Sequence, residues 1–388
     1  MIIGINASFS RKASTGIGQV TINFLKKLIE IQSEKLEGKN FEFIIYLEDD
    51  VDLKLPKNFK KNIFLPVWKR DDLLRKIWWE KYSLPKKIQD DKCDVLISLY
   101  QSATITPRDI KHIMIVHDII PKIFLGYLNN FRKKSYWKLT EKAIKSANKI
   151  IAVSKRTEKD LIQHLDINPS MITVSHIDVD NIYKQEVTEE NSRRIMKKFE
   201  LTPGYIYTGG GLEMRKNIDK LLRAYKMLLE RNKKEYFIND FPELVITGKL
   251  LPQLAPLVLD VEKLTKELNL TEHVRILGFV AQDDLPAIYK NAKLFVYPSL
   301  YEGFGIPVLE AMNLAVPVIT SKNSSMPEVG GDSVLYCEPG DTKDIAMTIK
   351  NALINKEIRN TLSARGYDRA RIFSWKNFVE KVINIIQA

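Results

Sequence analysis

Two acidic residues, Glu302 and Glu310, bracket the segment Gly303-Phe304-Gly305-Ile306-Pro307 within YPSLYEGFGIPVLEAM. An ionised carboxylate is a poor ligand for phosphate but a good bidentate acceptor for a pair of neighbouring hydroxyls. The glycines let a ligand come close to the backbone without a Cβ in the way. Pro307 suits the opening position of a helix. The apolar run KLFVYPS before the segment reads as a strand, and PVLEAMNLA after it as a helix. Amides near Gly305 and Ile306 would then point, with the helix dipole, at an anion such as a diphosphate. Glu310 is expected in the first helical turn, beside that anion and in reach of a ribose. Glu302 is expected at the strand exit, in reach of sugar hydroxyls. One acid per carbohydrate ring with the diphosphate between them describes a nucleotide-sugar cradle. Taken alone, the pair is equally well explained by a helix-start acid and a solvated acid.

A diphosphate seat needs positive charge. GGGLEMRKN, residues 209–217, follows the strand-like YIYT and precedes a helix, and it carries Arg215 and Lys216 where a departing diphosphate could be neutralised. It does not complete G-x-G-x-x-G, because the third glycine is absent, which counts against a dinucleotide oxidoreductase. Near the N-terminus, STGIGQVT places Gly16 and Gly18 between a first strand and a helix, a second loop that a phosphate or sugar can approach. IVHDIIP ends a strand with His117 and Asp118, and an imidazole there could donate to a sugar hydroxyl or a phosphate oxygen. Surface charge after a turn and a structural histidine are the plain alternatives for these residues.

The elements that must hold these residues alternate along the chain. Apolar strand candidates (IIGINAS, FEFIIYLE, CDVLISL, HIMIVHD, KIIAVS, MITVSHID) are separated by amphipathic stretches such as VTINFLKKLIEIQ. Continuous apolar strands between helices imply a parallel sheet covered on both faces. The polar stretch DNIYKQEVTEENSRRIMKKFELT interrupts this pattern, and a second array follows: YIYTGG, ELVITGK, HVRILGF, KLFVYPS, PVITSK. The expected fold class is therefore α/β: two Rossmann-like βαβ domains facing a central cleft. The boundaries fall at 1–180, a linker at 181–202, a second domain at 203–372, and a terminal amphipathic helix at 373–388. At 388 residues the chain is long enough for two cores. Its 28% charged and 45% apolar composition argues against extensive disorder.

The formal net charge of +12 fits polyanionic small molecules or an anionic membrane surface. Nucleic acid is disfavoured, since neither a zinc-finger spacing nor a basic-aromatic sheet stripe is present. No apolar run is long enough to span a bilayer. MIIGINASF lacks the basic stretch and cleavage site of a signal peptide and reads as a first strand. Cys93 and Cys337 are far apart with no metal-ligand spacing, and two buried thiols in a reducing cytoplasm are expected.

With these residues assembled, the chain resembles glycosyltransferase family 4, the retaining transferases of GT-B fold. The likeness covers nearly the full length. It rests on the pair Glu302 and Glu310 with seven residues between, on GGLEMRKN, on VHDIIP and on MPEVGGDSVLYCEPGD. Its nearest look is to bacterial mannosyltransferases of O-antigen and polysaccharide assembly. The resemblance implies that Glu302 contacts the donor sugar, Glu310 the nucleotide ribose, and Lys216 with Arg215 the diphosphate. It implies that His117 lies near the reacting carbon and that the loop of Gly16 and Gly18 lines the donor–acceptor junction. Gly303, Phe304, Gly305 and Ile306 would line the donor. It further implies no metal ion and no cofactor beyond the nucleotide-sugar donor, GDP-mannose or a UDP-hexose. The last helix would cross back onto the first domain. One position departs from the family's pattern: Gly210 stands where many relatives carry arginine, leaving Arg215 to supply that charge.

Residues 71–91 mix Trp78, Trp79 and Tyr82 with basic side chains. The favoured expectation is a helix whose aromatic face packs into the first domain. The alternative is a helix resting on an anionic membrane that carries a lipid-linked glycan acceptor, with the protein at the inner face of the cytoplasmic membrane. Two other function classes share parts of the pattern: a nucleotide-sugar epimerase of the same architecture, and a non-catalytic binding protein for glycan or nucleic acid. The epimerase would turn over donor without acceptor. The binding protein has no use for paired glutamates at a phosphate turn.

Overall fold

The computed structural model describes residues 1–34, 41–65 and 72–387. The chain divides into two compact units, Met1–Asp178 with Ser374–Ala388, and Val179–Phe373.

The first unit is built on a seven-stranded sheet of β1 (Ile2–Asn6), β2 (Glu42–Leu47), β3 (Phe59–Ile63), β4 (Val95–Ser98), β5 (Lys111–Val116), β6 (Lys149–Ala152) and β7 (Ile172–Val174). The order is β3-β2-β1-β4-β5-β6-β7, and every neighbouring pair is parallel. Central strands such as VLIS are buried at every position because helices cover both faces. The edge strand β3, FKKNI, is half exposed and carries two lysines, so its pattern does not announce a strand. Charged side chains of this kind also discourage pairing with another chain. The helix Trp375–Gln387 belongs to this unit, where Phe378 meets Phe24 edge-on at 6.2 Å between ring centroids.

The second unit carries six parallel strands, β8 (Ile206–Thr208), β9 (Leu244–Thr247), β10 (Val274–Gly278), β11 (Leu294–Tyr297), β12 (Val318–Ser321) and β13 (Leu335–Cys337), in the order β10-β9-β8-β11-β12-β13. Residues 181–202, expected as a linker, hold a 3-10 turn (Asn181–Tyr183) and the helix Glu189–Lys198, and they fall within this unit. The helix escapes a reading for strands because only Ile195 and Met196 are buried on it. Both cysteines are buried and unpaired with each other.

In each sheet the strand order reverses once, between β1 and β4 in the first and between β8 and β11 in the second. Loops leaving the carboxyl ends of the strands on either side of a reversal diverge to opposite faces and leave a crevice between them, where ligands of open α/β sheets bind. In the second unit the loops at that point are 209–217 and 298–305.

Candidate active site

Arg215, Lys216 and Glu302 form one buried cluster at this crevice. The loop after β8 closes in a 3-10 turn, Met214–Lys216, and Asn217 follows in the left-handed region at φ 64°. The Asn217 side-chain amide donates to the carbonyls of Pro298 (3.0 Å) and Pro339 (2.8 Å), which ties this loop to the one after β11. Leu300 N–H donates to the Arg215 carbonyl at 2.7 Å. The backbone of each loop thus fixes the other.

Glu302 accepts through Oε1 from Lys216 Nζ (2.7 Å), Tyr297 Oη (2.7 Å) and Ser299 Oγ (2.8 Å), and its Oε2 pairs with Arg215 at 2.8 Å. Lys216 Nζ also reaches the Tyr297 hydroxyl. Burial works to raise the Glu302 pKa, but the charges of Arg215 and Lys216 outweigh it and hold the carboxyl at about 2. Lys216 is lowered from its ordinary value by burial and by the Arg215 charge, with Glu302 opposing. Arg215 and Lys216 face the Glu302 carboxylate, and the half-buried Glu213 lies 4.0 Å from Arg215. The helix Ile306–Asn313 opens beside the cluster, and the positive end of its dipole lies there.

Gly305 caps that helix at φ 122°, a conformation that favours glycine, and a Cβ there would have to push aside the Met326 methyl, 2.5 Å away. Gly210 sits at φ 88°, with Pro307 Cγ 2.7 Å from where its Cβ would stand. Phe304 turns its ring inward against Phe373 (5.7 Å, edge-on), so only its backbone belongs to the turn. Ser324 and Ser325 donate to the Glu302 carbonyl at 2.6 and 3.0 Å and brace the turn from the next loop.

Glu310 is the fifth residue of the helix, one turn beyond its expected position, and the first turn carries no acid. It is buried, and its Oε2 accepts from Tyr289 Oη at 2.7 Å. Burial raises its pKa to about 7, against the stabilising hydroxyls of Tyr289 and Tyr183. Neither plain alternative holds: Glu302 is not solvated and Glu310 is not a helix-start acid.

In the first unit, His117 follows β5 and is buried. Its Nε2 lies 2.9 Å from the Leu99 carbonyl, which can only accept, so Nε2 carries the proton. Burial lowers the His117 pKa, with the Leu99 bond and Asp118 opposing. Nδ1 of the neutral ring is then an acceptor, so the expected donor role to a ligand does not apply to this nitrogen. Gly16 and Gly18 lie in the first turn of the helix Gly16–Glu34. A Cβ on Gly18 would stand 2.0 Å from the Lys12 carbonyl oxygen, so that glycine serves the backbone crossing. Gly16 is exposed. Tyr297, Ser299, Tyr289, Tyr183 and Ser324 were not singled out from the sequence. For Tyr297 and Ser299, position beside Glu302 in YPSLYE was the available signal.

Residues 33–180 match the family described as Glycosyltransferase Family 4, and residues 190–369 the family described as Glycosyl transferases group 1. Among solved structures, HepE of Anabaena in complex with UDP-glucose is similar, with a TM-score of 0.73 at 15% identity, covering 100% of this chain and 99% of that one. WaaG, described as a glycosyltransferase involved in lipopolysaccharide biosynthesis, gives 0.72 at 16% identity over 100% and 99%. Two parallel-sheet units with these likenesses define the GT-B fold. O-antigen chain mannosyltransferase B of Escherichia coli is 31% identical over 95% of this chain and 95% of its own length. O-antigen chain mannosyltransferase RfbU of Salmonella typhimurium is 26% identical over 89% and 90%. The chain belongs to glycosyltransferase family 4 and is a glycosyltransferase.

Proposed function

We propose that this transferase moves mannose from GDP-mannose, with retention of configuration, to a hydroxyl of a growing lipid-linked surface glycan. The observation that carries the reading is the buried Arg215–Lys216–Glu302 cluster at the strand-order reversal, supported by the O-antigen mannosyltransferases among the relatives. In this reading Arg215 and Lys216 stabilise the leaving diphosphate in the place a metal would otherwise take. Glu302 is ionised at neutral pH and orients donor-sugar hydroxyls. Glu310 grips the ribose diol. The anomeric carbon–oxygen bond to the diphosphate breaks as the bond to the acceptor oxygen forms on the same face, and the acceptor proton passes to the departing phosphate oxygen. Thermal-shift measurement against a panel of sugar nucleotides tests the donor: GDP-mannose is expected to raise the melting temperature most. Selective stabilisation by a UDP-hexose would overturn the donor, and no response to any sugar nucleotide would overturn the site.

The acceptor's lipid linkage calls for a membrane-facing surface. Residues 72–90 form a near-continuous helix with a π turn at Trp79–Ser83. Leu74, Trp78 and Tyr82, four residues apart, are 48%, 47% and 50% exposed, and the rings of Trp78 and Tyr82 lie 5.0 Å apart. Exposed Lys81 and Lys86 flank this face. An apolar stripe edged by lysines fits the interface of an anionic bilayer. No helix among the described residues is long and apolar enough to cross a membrane. Our reading is a peripheral component at the inner face of the cytoplasmic membrane. Flotation with vesicles containing phosphatidylglycerol is expected to recover the wild type, and a Trp78→Ser/Tyr82→Ser variant should lose most of that binding. Equal recovery of the variant would refute the assignment.

A further inference from the structure

The Glu310 carboxylate is enclosed by phenols. Tyr289 (in helix Leu285–Lys290) donates to its Oε2 at 2.7 Å, and Tyr183, from the 3-10 turn that opens the unit, sets its ring edge-on to Tyr289 at 5.9 Å and acts to lower the Glu310 pKa. Neither ring is free to move. Tyr289 is 1% exposed and packs edge-on against Tyr207 (4.8 Å) and Tyr183 (5.9 Å), with Phe295 tilted at 5.0 Å. The Tyr183 oxygen accepts from Gln282 Nε2 at 2.9 Å. The nearby Tyr207 hydroxyl is engaged with Thr247 Oγ1 at 2.7 Å. The other charged groups acting on Glu310 are Asp180, which opposes its ionisation, and Lys216, which favours it.

A carboxylate that grips two neighbouring hydroxyls must be ionised and fixed in rotation, because protonation turns one acceptor oxygen into a donor. An acid this deeply buried satisfies neither condition unless something holds it. We infer that Tyr289 and Tyr183 are positioning residues for nucleotide recognition, orienting Glu310 and keeping it in its diol-accepting form. This rests on the reading that Glu310 grips the ribose.

Two consequences follow from the sign of the interaction. Glu310 titrates at about 7, so nucleotide affinity falls as pH drops through neutrality. A hydrogen bond to the charged form lowers an acid's pKa, and removing it raises the pKa further. Tyr289→Phe keeps the packed ring and deletes only the donor.

The test is isothermal titration of the full chain with GDP, and with UDP in parallel, between about pH 6 and pH 9, the range around the usual histidine-like midpoint. The midpoint of the affinity profile in Tyr289→Phe is expected to move up by about one to two pH units, the size of a hydrogen bond to a charged group. Affinity near neutrality should fall about tenfold and recover at the alkaline end. Tyr183→Phe should move it in the same direction and serves if Tyr289→Phe does not fold. An unmoved midpoint, whether or not affinity drops, overturns the proposal, because a merely structural loss does not recover with pH. The underlying reading is checked separately in the wild type with the 2′-deoxy nucleotide, which cannot pair bidentately. Equal, pH-independent binding of both nucleotides would remove Glu310 from the ribose site, whatever the tyrosine variants do.

Discussion

Lys216→Ala is expected to lower kcat by about 10² or more, the scale seen when one preorganised charge-stabilising donor is removed. The ammonium is buried, and it donates to Glu302 Oε1 at 2.7 Å and to Tyr297. Its removal takes away one of the two cations at the seat for a departing diphosphate and leaves Arg215 between Glu302 and Glu213. Arg215 remains paired to Glu302 Oε2 at 2.8 Å and cannot serve both partners equally. The effect should fall on kcat more than on KM, because negative charge on the leaving group grows on the way to the transition state. The variant should also be more sensitive to acid. Glu302 has a folded-state pKa of about 2, below its ordinary value of 4.5, so the stability it contributes is complete above that ordinary value and is lost as pH falls toward about 2. With Lys216 gone, its folded pKa rises, and acid unfolding should begin at higher pH. Steady-state kinetics and acid titration followed by circular dichroism check the two effects. Wild-type turnover in a folded variant would take Lys216 out of the reaction.

Much of this site could be read from residue order, and the reason lies in the fold. A parallel sheet places every strand-to-helix turn on one edge, so chemistry-bearing residues just after strands are brought together without knowledge of side-chain packing. That is why Lys216 and Glu302, far apart in sequence, could be assigned to one seat, and they meet at 2.7 Å. What order does not reveal is who partners whom. The loop lysine and the strand-exit acid were expected to serve different parts of a ligand, and here they bond to each other. The tyrosines around Glu310 come from strand, helix and turn segments separated along the chain, and in sequence they look like ordinary core aromatics. Gly210 is instructive in the other direction. Its φ of 88° and the Pro307 ring, 2.7 Å from where a Cβ would stand, disfavour any side chain there, and the guanidinium of this loop is that of Arg215. Adjacent residues on one helix were equally opaque. Sequence alone could not say which of Trp78 and Trp79 faces inward.

Trp79→Ala is expected to destabilise the first unit by about 3–5 kcal/mol, whereas Trp78→Ala should change it by no more than about 0.5 kcal/mol. Trp79 is completely buried, stacks on Phe64 at 5.2 Å and 12°, and donates Nε1–H to the Phe64 carbonyl at 3.2 Å. It packs with Tyr46, Leu84, Ile88, Cys93 and Leu96 in one apolar cluster, so truncation leaves a cavity together with an unsatisfied carbonyl. At the scale of a domain of this size, the loss should lower the melting temperature of that unit by roughly 6–20 °C. Trp78, 47% exposed, fills no such space. Thermal and urea unfolding followed by circular dichroism distinguish the pair, and a loss below about 1 kcal/mol in Trp79→Ala would mean that this ring is not in the core. The contrast also decides how the membrane surface can be examined. A double Trp78/Trp79 variant would weaken vesicle binding by loosening the unit that displays the helix. Only changes confined to the outward face, at Trp78 and Tyr82, report on the bilayer itself.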